Sequence, residues 1–337
     1  MKTIKVGLNG FGRIGRAFTR IALTRNNFEI VAINTRTGTP QMMAYLLQHD
    51  SVYRKFQKKI DFDDNSIKIE NQTIKTINFS DPGQIPWDEY GVDLVIDATG
   101  AFGTREDLSK HIRGSVKKVV LTAPAKDESI PHLVLGVNDD KIDFNSESII
   151  SNASCTTNCA SPMFKVIDDN FKIISGFLTT AHAYTLTQSL LDDPGRDIER
   201  SRAAPLNLVP STTGAAKAVV KTLPQLAGKI DGMAIRVPVP TVSFTDISAI
   251  VEKSTTIDEV NQVFQNASQQ SMKNILSYAD EVLVSSDYIG SPFSCIFDPH
   301  YTKVINGNFV KIFGWYDNEW GYSTRLVDVI EKLSEFL

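Results

Sequence analysis

Cysteine is scarce in this chain: Cys155, Cys159 and Cys295 are the only three in 337 residues. An odd, small number at these spacings excludes a secreted disulfide framework and fits a reducing compartment. A basic block is missing as well. The 35 Lys and Arg residues are scattered among 39 Asp and Glu, for a formal net charge of -4. Without a basic patch, nucleic acid is not expected as a main partner. No run of eighteen apolar residues occurs, so no membrane span is expected. The first ten residues enter a strand pattern with no apolar signal core, and a cytoplasmic protein is expected. Neither an internal repeat nor a low-complexity tract is present, and no metal is expected. What is there is 42% hydrophobic and 22% charged. That composition and length suit a globular chain of about two domains with a real core.

The first half alternates short apolar runs with helical patterns. Residues 4–9, 29–34, 93–97, 117–122 and 148–151 read as strands. Residues 13–24 read as a helix, with Ile14, Phe18 and Ile21 on one face, and residues 41–49 as another. Thr104 followed by Asp107 marks a further helix start. Near-continuous apolar strands separated by helices imply a parallel sheet covered on both faces. After about residue 152 the texture changes. Residues 177–184, 240–252 and 308–316 read as longer strands, and Thr256 with Glu259 forms a capping box. This predicts an α/β domain with a parallel sheet, then an α+β domain with a mainly antiparallel sheet. Residues 323–337 carry Leu326, Ile330, Leu333 and Leu337 on one helical face. The charged, proline-bearing stretch 191–210 reads as a long ordered loop, which in a compact domain is often functional.

Residues 9–15, Asn-Gly-Phe-Gly-Arg-Ile-Gly, contain G-x-G-x-x-G between a strand and a helix. The first glycine permits the tight turn, the second lets backbone approach a pyrophosphate, and the third lets helix and strand pack closely. The helix N-terminus then faces an anion. Asn9, Gly10, Phe11, Gly12, Arg13 and Ile14 are the candidate cofactor residues here. The acidic residue that would hold the adenosine ribose is absent: the second strand ends Asn34-Thr35-Arg36. Losing a carboxylate and gaining a cation relaxes the bias against a 2′-phosphate, so NADP is expected to be accepted beside NAD. Equally, Thr35 could cap the strand and Arg36 face solvent.

Cys155 lies where a strand ends and a helix begins, among Ser154, Thr156 and Thr157. The positive end of a helix dipole favours thiolate there. A small buried hydrophobe is the alternative reading, and Cys159 suits that role better. Pro162 predicts an irregular or kinked start to this helix. A nucleophilic cysteine needs a base. His49, His111, His132 and His300 read as surface or strand-edge residues. His182 stands in a strand dense with hydroxyls, Thr179-Thr180-Ala181-His182-Ala183-Tyr184-Thr185; a structural histidine fits that place too.

Taken together, NGFGRIGR, SNASCTTNCASP, TTAHAYT, PSTTGAAKAV, GMAIRVPVP and WYDNEWGYS resemble, in order and over essentially the whole chain, the phosphorylating glyceraldehyde-3-phosphate dehydrogenase family. The resemblance implies an α/β Rossmann-type NAD(P)-binding domain with a parallel sheet, residues 1–153 with 318–337, and an α+β catalytic domain, residues 154–317. It implies that Cys155 attacks an aldehyde to form a hemithioacetal, that His182 is the base, and that inorganic phosphate resolves a thioester. It places Thr185, Thr187 and Arg236 at the substrate phosphate, and Ser154, Thr156, Thr213, Gly214 and Arg202 at inorganic phosphate, with Arg200 a rival to Arg202. It gives Asn318 the nicotinamide carboxamide, and it sets Thr99, Gly100 and Thr122 at strand ends bordering the cofactor. It also implies a homotetramer, with the 191–210 loop near a neighbour's cofactor, and a place in glycolysis or gluconeogenesis.

This chain departs from the family pattern at Thr35, where NAD-dependent members usually carry Asp, and at Ser80, where many carry Arg. Asp193-Pro194 keeps the proline found in NAD-preferring members. Erythrose-4-phosphate dehydrogenase, in which water and not phosphate resolves the thioester, is the nearest alternative. A non-catalytic NAD-binding interaction protein and a cysteine hydrolase are more distant ones.

Overall fold

Apolar strands that alternate with helices have nowhere to bury two faces except inside a layered sheet. In the computed structural model, which describes residues 3–195 and 197–337, the chain divides into two units: residues up to 133 with 141–153 and 323–337, and residues 134–140 with 154–322.

The first unit holds β1 (Ile4–Asn9), α1 (Arg13–Ala22), β2 (Phe28–Asn34), α2 (Pro40–Gln48), β3 (Ile60–Asp63), β4 (Ser66–Ile69), β5 (Gln72–Ile77), β6 (Leu94–Asp97), α3 (Arg105–Ser109), β7 (Lys118–Leu121) and β8 (Ile149–Ser151). Its eight-stranded sheet runs β3-β4-β5-β2-β1-β6-β7-β8. Every pair from β5 to β8 is parallel, and the β3-β4-β5 ribbon at the edge is antiparallel. From β1 the chain winds to β2 on one side and to β6 on the other. That reversal is the switch point where open α/β sheets bind ligands, at the carboxyl ends of their strands. Residues of β6, β7 and β8 are buried throughout. Each Leu, Ile or Val among them stabilises the fold by about 1.5–3 kcal/mol relative to exposure. The β3-β4-β5 ribbon was not expected. Its signal is period two: Ile67 and Ile69 are buried while Lys68 between them is exposed.

The second unit holds α4 (Cys155–Phe171), β9 (Ile173–Ala183), β10 (Val209–Thr212), α5 (Ala215–Thr222), β11 (Ile230–Val237), β12 (Ser243–Val251), α6 (Ile257–Gln269), β13 (Leu276–Tyr278), β14 (Cys295–Phe297), β15 (Lys303–Ile305) and β16 (Phe309–Tyr316), and α7 (Trp320–Leu333) begins in it. The sheet order is β10-β11-β9-β12-β16-β14-β13, with β15 on β16. It is mainly antiparallel, but β11–β9 and β13–β14 are parallel. Helix α4 packs across β9, β12, β14 and β16. Pro162 does not break α4; it lies inside its 17 residues. The Thr256–Glu259 capping box opens α6 with both reciprocal bonds made. The 191–210 stretch contains two short 3-10 turns, Glu199–Ser201 and Ala204–Leu206. No helix among the described residues is long and apolar enough to cross a membrane.

Candidate active site

The glycine-rich turn sits between β1 and α1, and its geometry explains its composition. Gly10 has φ +103°, and a Cβ there would meet the Ala98 backbone at 2.7 Å. A Cβ on Gly15 would lie 2.3 Å from the Gly10 carbonyl oxygen, so the close strand–helix approach needs glycine. A Cβ on Gly12 would meet nothing within 4 Å. Gly12 is also the N-cap of α1 and offers no capping side chain. The first N–H groups of α1 therefore keep an open approach, as an anion site requires.

A cleft of about 220 Å³ opens over this turn, lined by Asn9, Gly10, Phe11, Gly12, Thr35, Arg36 and Thr99 among others. Of the other expected cofactor residues, Gly100 has φ +67° beside it, and Thr122 donates its N–H to the Asp97 carbonyl. Arg13 is turned to Asp50 at 2.5 Å and to the Tyr53 ring. Ile14 follows Arg13 in α1, half-buried. Thr35 donates its hydroxyl to the Thr37 carbonyl at 2.9 Å, and Arg36 is exposed.

Beneath the turn runs a buried polar chain that sequence reasoning missed. Trp87 Nε1–H donates to His111 Nδ1 at 3.0 Å, which leaves Nε2–H of that ring to face Asp97 Oδ2 at 3.3 Å. Asn9 Nδ2 donates to the same oxygen at 2.8 Å, and Asn34 Nδ2 donates to Asn9 Oδ1 at 2.7 Å. Thr99 gives both its N–H and its hydroxyl to Asp97 Oδ1. Asn9, Asn34 and Asp97 are the last residues of three neighbouring strands. The chain thus ties together the strand ends that carry the cleft. His111 and His132 were expected at the surface or at a strand edge; both are buried, at 0% and 3% exposure, and His132 bridges to Ser151 of β8. For His111 the reason is plain: both ring nitrogens have partners, so burial leaves neither unsatisfied. A polar residue closing each apolar strand was the available signal.

In the second unit, the N-cap Ser154 starts α4 by accepting from Thr157 N–H at 3.0 Å. Cys155 is the first residue of the helix. Its Sγ lies 3.4 Å from Nε2 of His182, which projects from the end of β9. The parallel register of β9 with β11 sets Arg236 opposite His182. Arg236 Nη1 approaches His182 Nδ1 at 2.7 Å and donates to the Ala183 carbonyl at 3.1 Å. Its Nε is buried and has no partner.

Burial dominates the electrostatics. It pushes the Cys155 thiol up to about 11, against the lowering pull of Arg236 and of the Thr156 hydroxyl and N–H. Burial also takes His182 down to about 3, helped by Arg236 and Arg200. Sequence reasoning expected a resting thiolate. Burial works against the helix dipole here, because a lone charge on either group is poorly solvated.

Ser154 and Thr156 turn their hydroxyls inward, Ser154 to Thr157 and Thr156 to the buried Tyr316 at 2.9 Å. Tyr316 also bridges to Thr180 and packs edge-on to His182 at 6.0 Å. Sequence reasoning missed Tyr316; its place one residue before Asp317-Asn318 was the only signal. Thr185 and Thr187 pair their hydroxyls at 2.9 Å. Gly214 caps α5 with open space around its Cα, and Thr213 accepts from Ala215 N–H. Arg202 is 63% exposed and pairs with Asp192; it makes no contact with His182 or Arg236 among the described residues. Arg200 is the arginine within electrostatic range of both. Its guanidinium is held by Ser211 at 2.6 Å and by Asp197 at 3.3 Å. Asn318 is buried and accepts from the Ser243 hydroxyl at 3.0 Å. Cys159, one turn on, is sealed against Met163 and Gly314.

Two family descriptions match this chain: the NAD binding domain of glyceraldehyde 3-phosphate dehydrogenase over residues 4–105, and the C-terminal domain over 154–318. A curated glyceraldehyde-3-phosphate dehydrogenase from Streptomyces coelicolor is 50% identical over 97% of each chain. The chain belongs to the glyceraldehyde-3-phosphate dehydrogenase family. Similar relatives include glyceraldehyde-3-phosphate dehydrogenase 2 of Nostoc sp., 49% identical over 98% of this chain and 99% of the relative. The glyceraldehyde-3-phosphate dehydrogenase of Geobacillus stearothermophilus is 47% identical over 97% of both. As a member of that family the chain is an NAD-dependent oxidoreductase, built from an NAD-binding part with a mostly parallel sheet and a catalytic part with a mainly antiparallel one. The open N-terminus of α1 and the glycine turn suit a dinucleotide pyrophosphate.

Proposed function

We propose that the chain oxidises D-glyceraldehyde 3-phosphate to 1,3-bisphosphoglycerate, with NAD as cofactor and inorganic phosphate as co-substrate. The observation that carries this reading is the 3.4 Å approach of Cys155 Sγ to His182 Nε2. Sulfur adds to the aldehyde carbon as its proton passes by way of His182 to the carbonyl oxygen, giving a hemithioacetal on Cys155 and a neutral His182. The N–H groups at the start of α4 steady the oxygen that gains charge. His182 then takes the hemithioacetal hydroxyl proton as hydride leaves the carbon, and a thioester remains on Cys155. When bound, the nicotinamide cofactor supplies the acceptor for that hydride. Phosphate attacks the thioester and frees the sulfur.

Residues 1–153 with 318–337 are assigned to cofactor binding and 154–317 to catalysis. Gly10, Gly12 and the start of α1 would hold the pyrophosphate, Thr35 and Arg36 the adenosine ribose, and Asn318 the carboxamide. Arg236, Thr185 and Thr187 are assigned to the substrate phosphate; the unpartnered Nε of Arg236 supports this. Thr213, Gly214 and Arg200 are assigned to inorganic phosphate, with Arg200 favoured over Arg202 by its range to His182.

The exposed Arg36 and the missing ribose carboxylate support use of NADP beside NAD. Leu186, Leu190, Leu191, Ile198, Leu206 and Leu208 are each at least 68% exposed, on or just before the 191–210 stretch. That much uncovered apolar surface supports a homotetramer in which a neighbour covers it. A cytoplasmic, glycolytic or gluconeogenic role follows from the same reading. The test is reduction of NAD and of NADP with glyceraldehyde 3-phosphate, with and without phosphate. Phosphate-dependent reduction is expected. Turnover that ignores phosphate would favour hydrolysis of the thioester and contradict the proposal.

A further inference from the structure

Three sulfur atoms meet in the core of the second unit, and none of them serves the reaction proposed above. Cys159 and Met163 stand one turn apart on α4, which packs across β12, β14 and β16. Cys159 Sγ lies 3.9 Å from Met163 Sδ and 3.9 Å from the Gly314 carbonyl oxygen. Cys295 comes from β14, and its thiol is within hydrogen-bonding reach of Cys159. Gly314 of β16 makes the meeting possible: a Cβ there would stand 2.7 Å from Met163 Sδ and 2.8 Å from Cys295 Sγ. Cys159, Met163 and Cys295 are each 0% exposed. No metal-ligand spacing announces the cluster, because Cys295 is brought in from a distant strand.

Apolar packing accounts for three buried sulfurs but not for what surrounds them. Thr245 faces Gly314 across the β12–β16 register, is 0% exposed, and keeps its hydroxyl without a hydrogen-bond partner. That hydroxyl is near enough to Cys159 to favour its thiolate, to which it would donate. Cys295 works the other way and opposes ionisation of Cys159, by hydrogen bonding and by repulsion. A cation between the two sulfurs cancels that repulsion, and a coordinating thiol gives up its proton outright. Soft thiolate and thioether ligands suit Cu(I). With metal–sulfur bonds of about 2.3 Å, sulfurs around one trigonal ion stand about 4 Å apart, close to the 3.9 Å between Cys159 and Met163.

We propose that Cys159, Cys295 and Met163 form a site for a soft monovalent cation, Cu(I), held by two thiolates and one thioether. Binding releases the two thiol protons to solvent and forms two copper–thiolate bonds. The Met163 sulfur adds a lone pair, and the copper stays Cu(I) throughout. Thr245 then donates its hydroxyl to the Cys159 thiolate, as the outer partners of metal ligands do. All three sulfurs are sealed at rest, so the ion loads through local opening of the unit. The inference does not depend on the proposed reaction.

The test is an anaerobic Cu(I) titration of the full chain, read at equilibrium against bicinchoninate as a competing chelator. Cys155 is first capped with iodoacetamide, which removes the accessible thiol from the count. One Cu(I) per chain is expected, with the ultraviolet charge-transfer band of a copper thiolate and an X-ray absorption spectrum fitted by three sulfurs. Cys295→Ser is expected to abolish the band, and Met163→Leu to leave two sulfurs. Thr245→Val is expected to weaken binding about tenfold. Capped parent protein that leaves all its copper with the chelator overturns the inference without any variant. So does an absorption spectrum dominated by nitrogen or oxygen ligands, or undiminished binding by a folded Cys295→Ser protein. The capped chain has no free Cys155 to turn over substrate, so none of these readouts borrows from activity.

Discussion

The two polar centres of the molecule are built on opposite rules. Under the glycine turn, the carboxylate oxygens of Asp97 accept from Asn9, His111 and Thr99, and Asn34 anchors both Asn9 and Phe79. At the end of β9, by contrast, His182 Nδ1 is approached by a donor and an acceptor at once, and Nε of the facing Arg236 is buried without a partner. A closed set of hydrogen bonds holds strand ends in place whether or not a ligand arrives. An unfinished set is completed by the ligand. A buried group left unsatisfied costs stability, so the open Nε of Arg236 beside His182 fits a place kept for a ligand more than for folding.

Substitutions should separate the two centres cleanly. The largest effect is expected from Asp97→Leu. It strands the donors of Asn9, His111 and Thr99, each worth about 1–3 kcal/mol when left unpaired. Against a typical margin of about 5–15 kcal/mol, thermal unfolding should show a deep loss of Tm. An unchanged Tm would erase the contrast. His182→Gln is expected to do the reverse, lowering kcat by about 10²–10⁴-fold while Tm holds. A parallel fall in Tm would mean that the histidine is a scaffold residue like His111.

A gentler probe is the pH dependence of Cys155 alkylation by iodoacetamide in the ligand-free protein. The thiol is an acid whose value burial raises to about 11. Its thiolate fraction, and so the rate, should climb about tenfold per pH unit above neutrality with no early plateau. A plateau near neutral pH would mean that a resting ion pair survives burial. The smallest effect is expected at Thr35. Thr35→Asp should raise the NAD:NADP ratio of kcat/KM by about tenfold, worth roughly 1.4 kcal/mol. A parent protein wholly inert with NADP would remove the argument from the missing carboxylate.

Much of the first unit was legible because its signals are local. Residues 4–9 alternate strand-like and end at a glycine turn, and they form β1 as read. Thr104 and Thr256 cap their helices as their sequences announce. The β3-β4-β5 ribbon went unread because its strands are only four to six residues long and interrupted by charged residues such as Asp61, Lys68 and Lys75. The burial of His111 was illegible for another reason: its partners, Trp87 and Asp97, are 24 and 14 residues away. At the catalytic centre, residue types could nominate Cys155 and His182, but only the β9–β11 register could bring Arg236 to the imidazole. Spacing within one loop likewise could not show that Ser211 of β10 holds the guanidinium of Arg200 and not that of Arg202.

The central claim, that the acyl group is carried on Cys155, is most directly tested by mixing the protein with NAD and glyceraldehyde 3-phosphate in phosphate-free buffer and mapping the product by peptide mass spectrometry. A stoichiometric acyl adduct on the Cys155 peptide, discharged on adding phosphate, is the predicted result. Full turnover with no adduct on that peptide, or with Cys155→Ala as active as the parent, would contradict it.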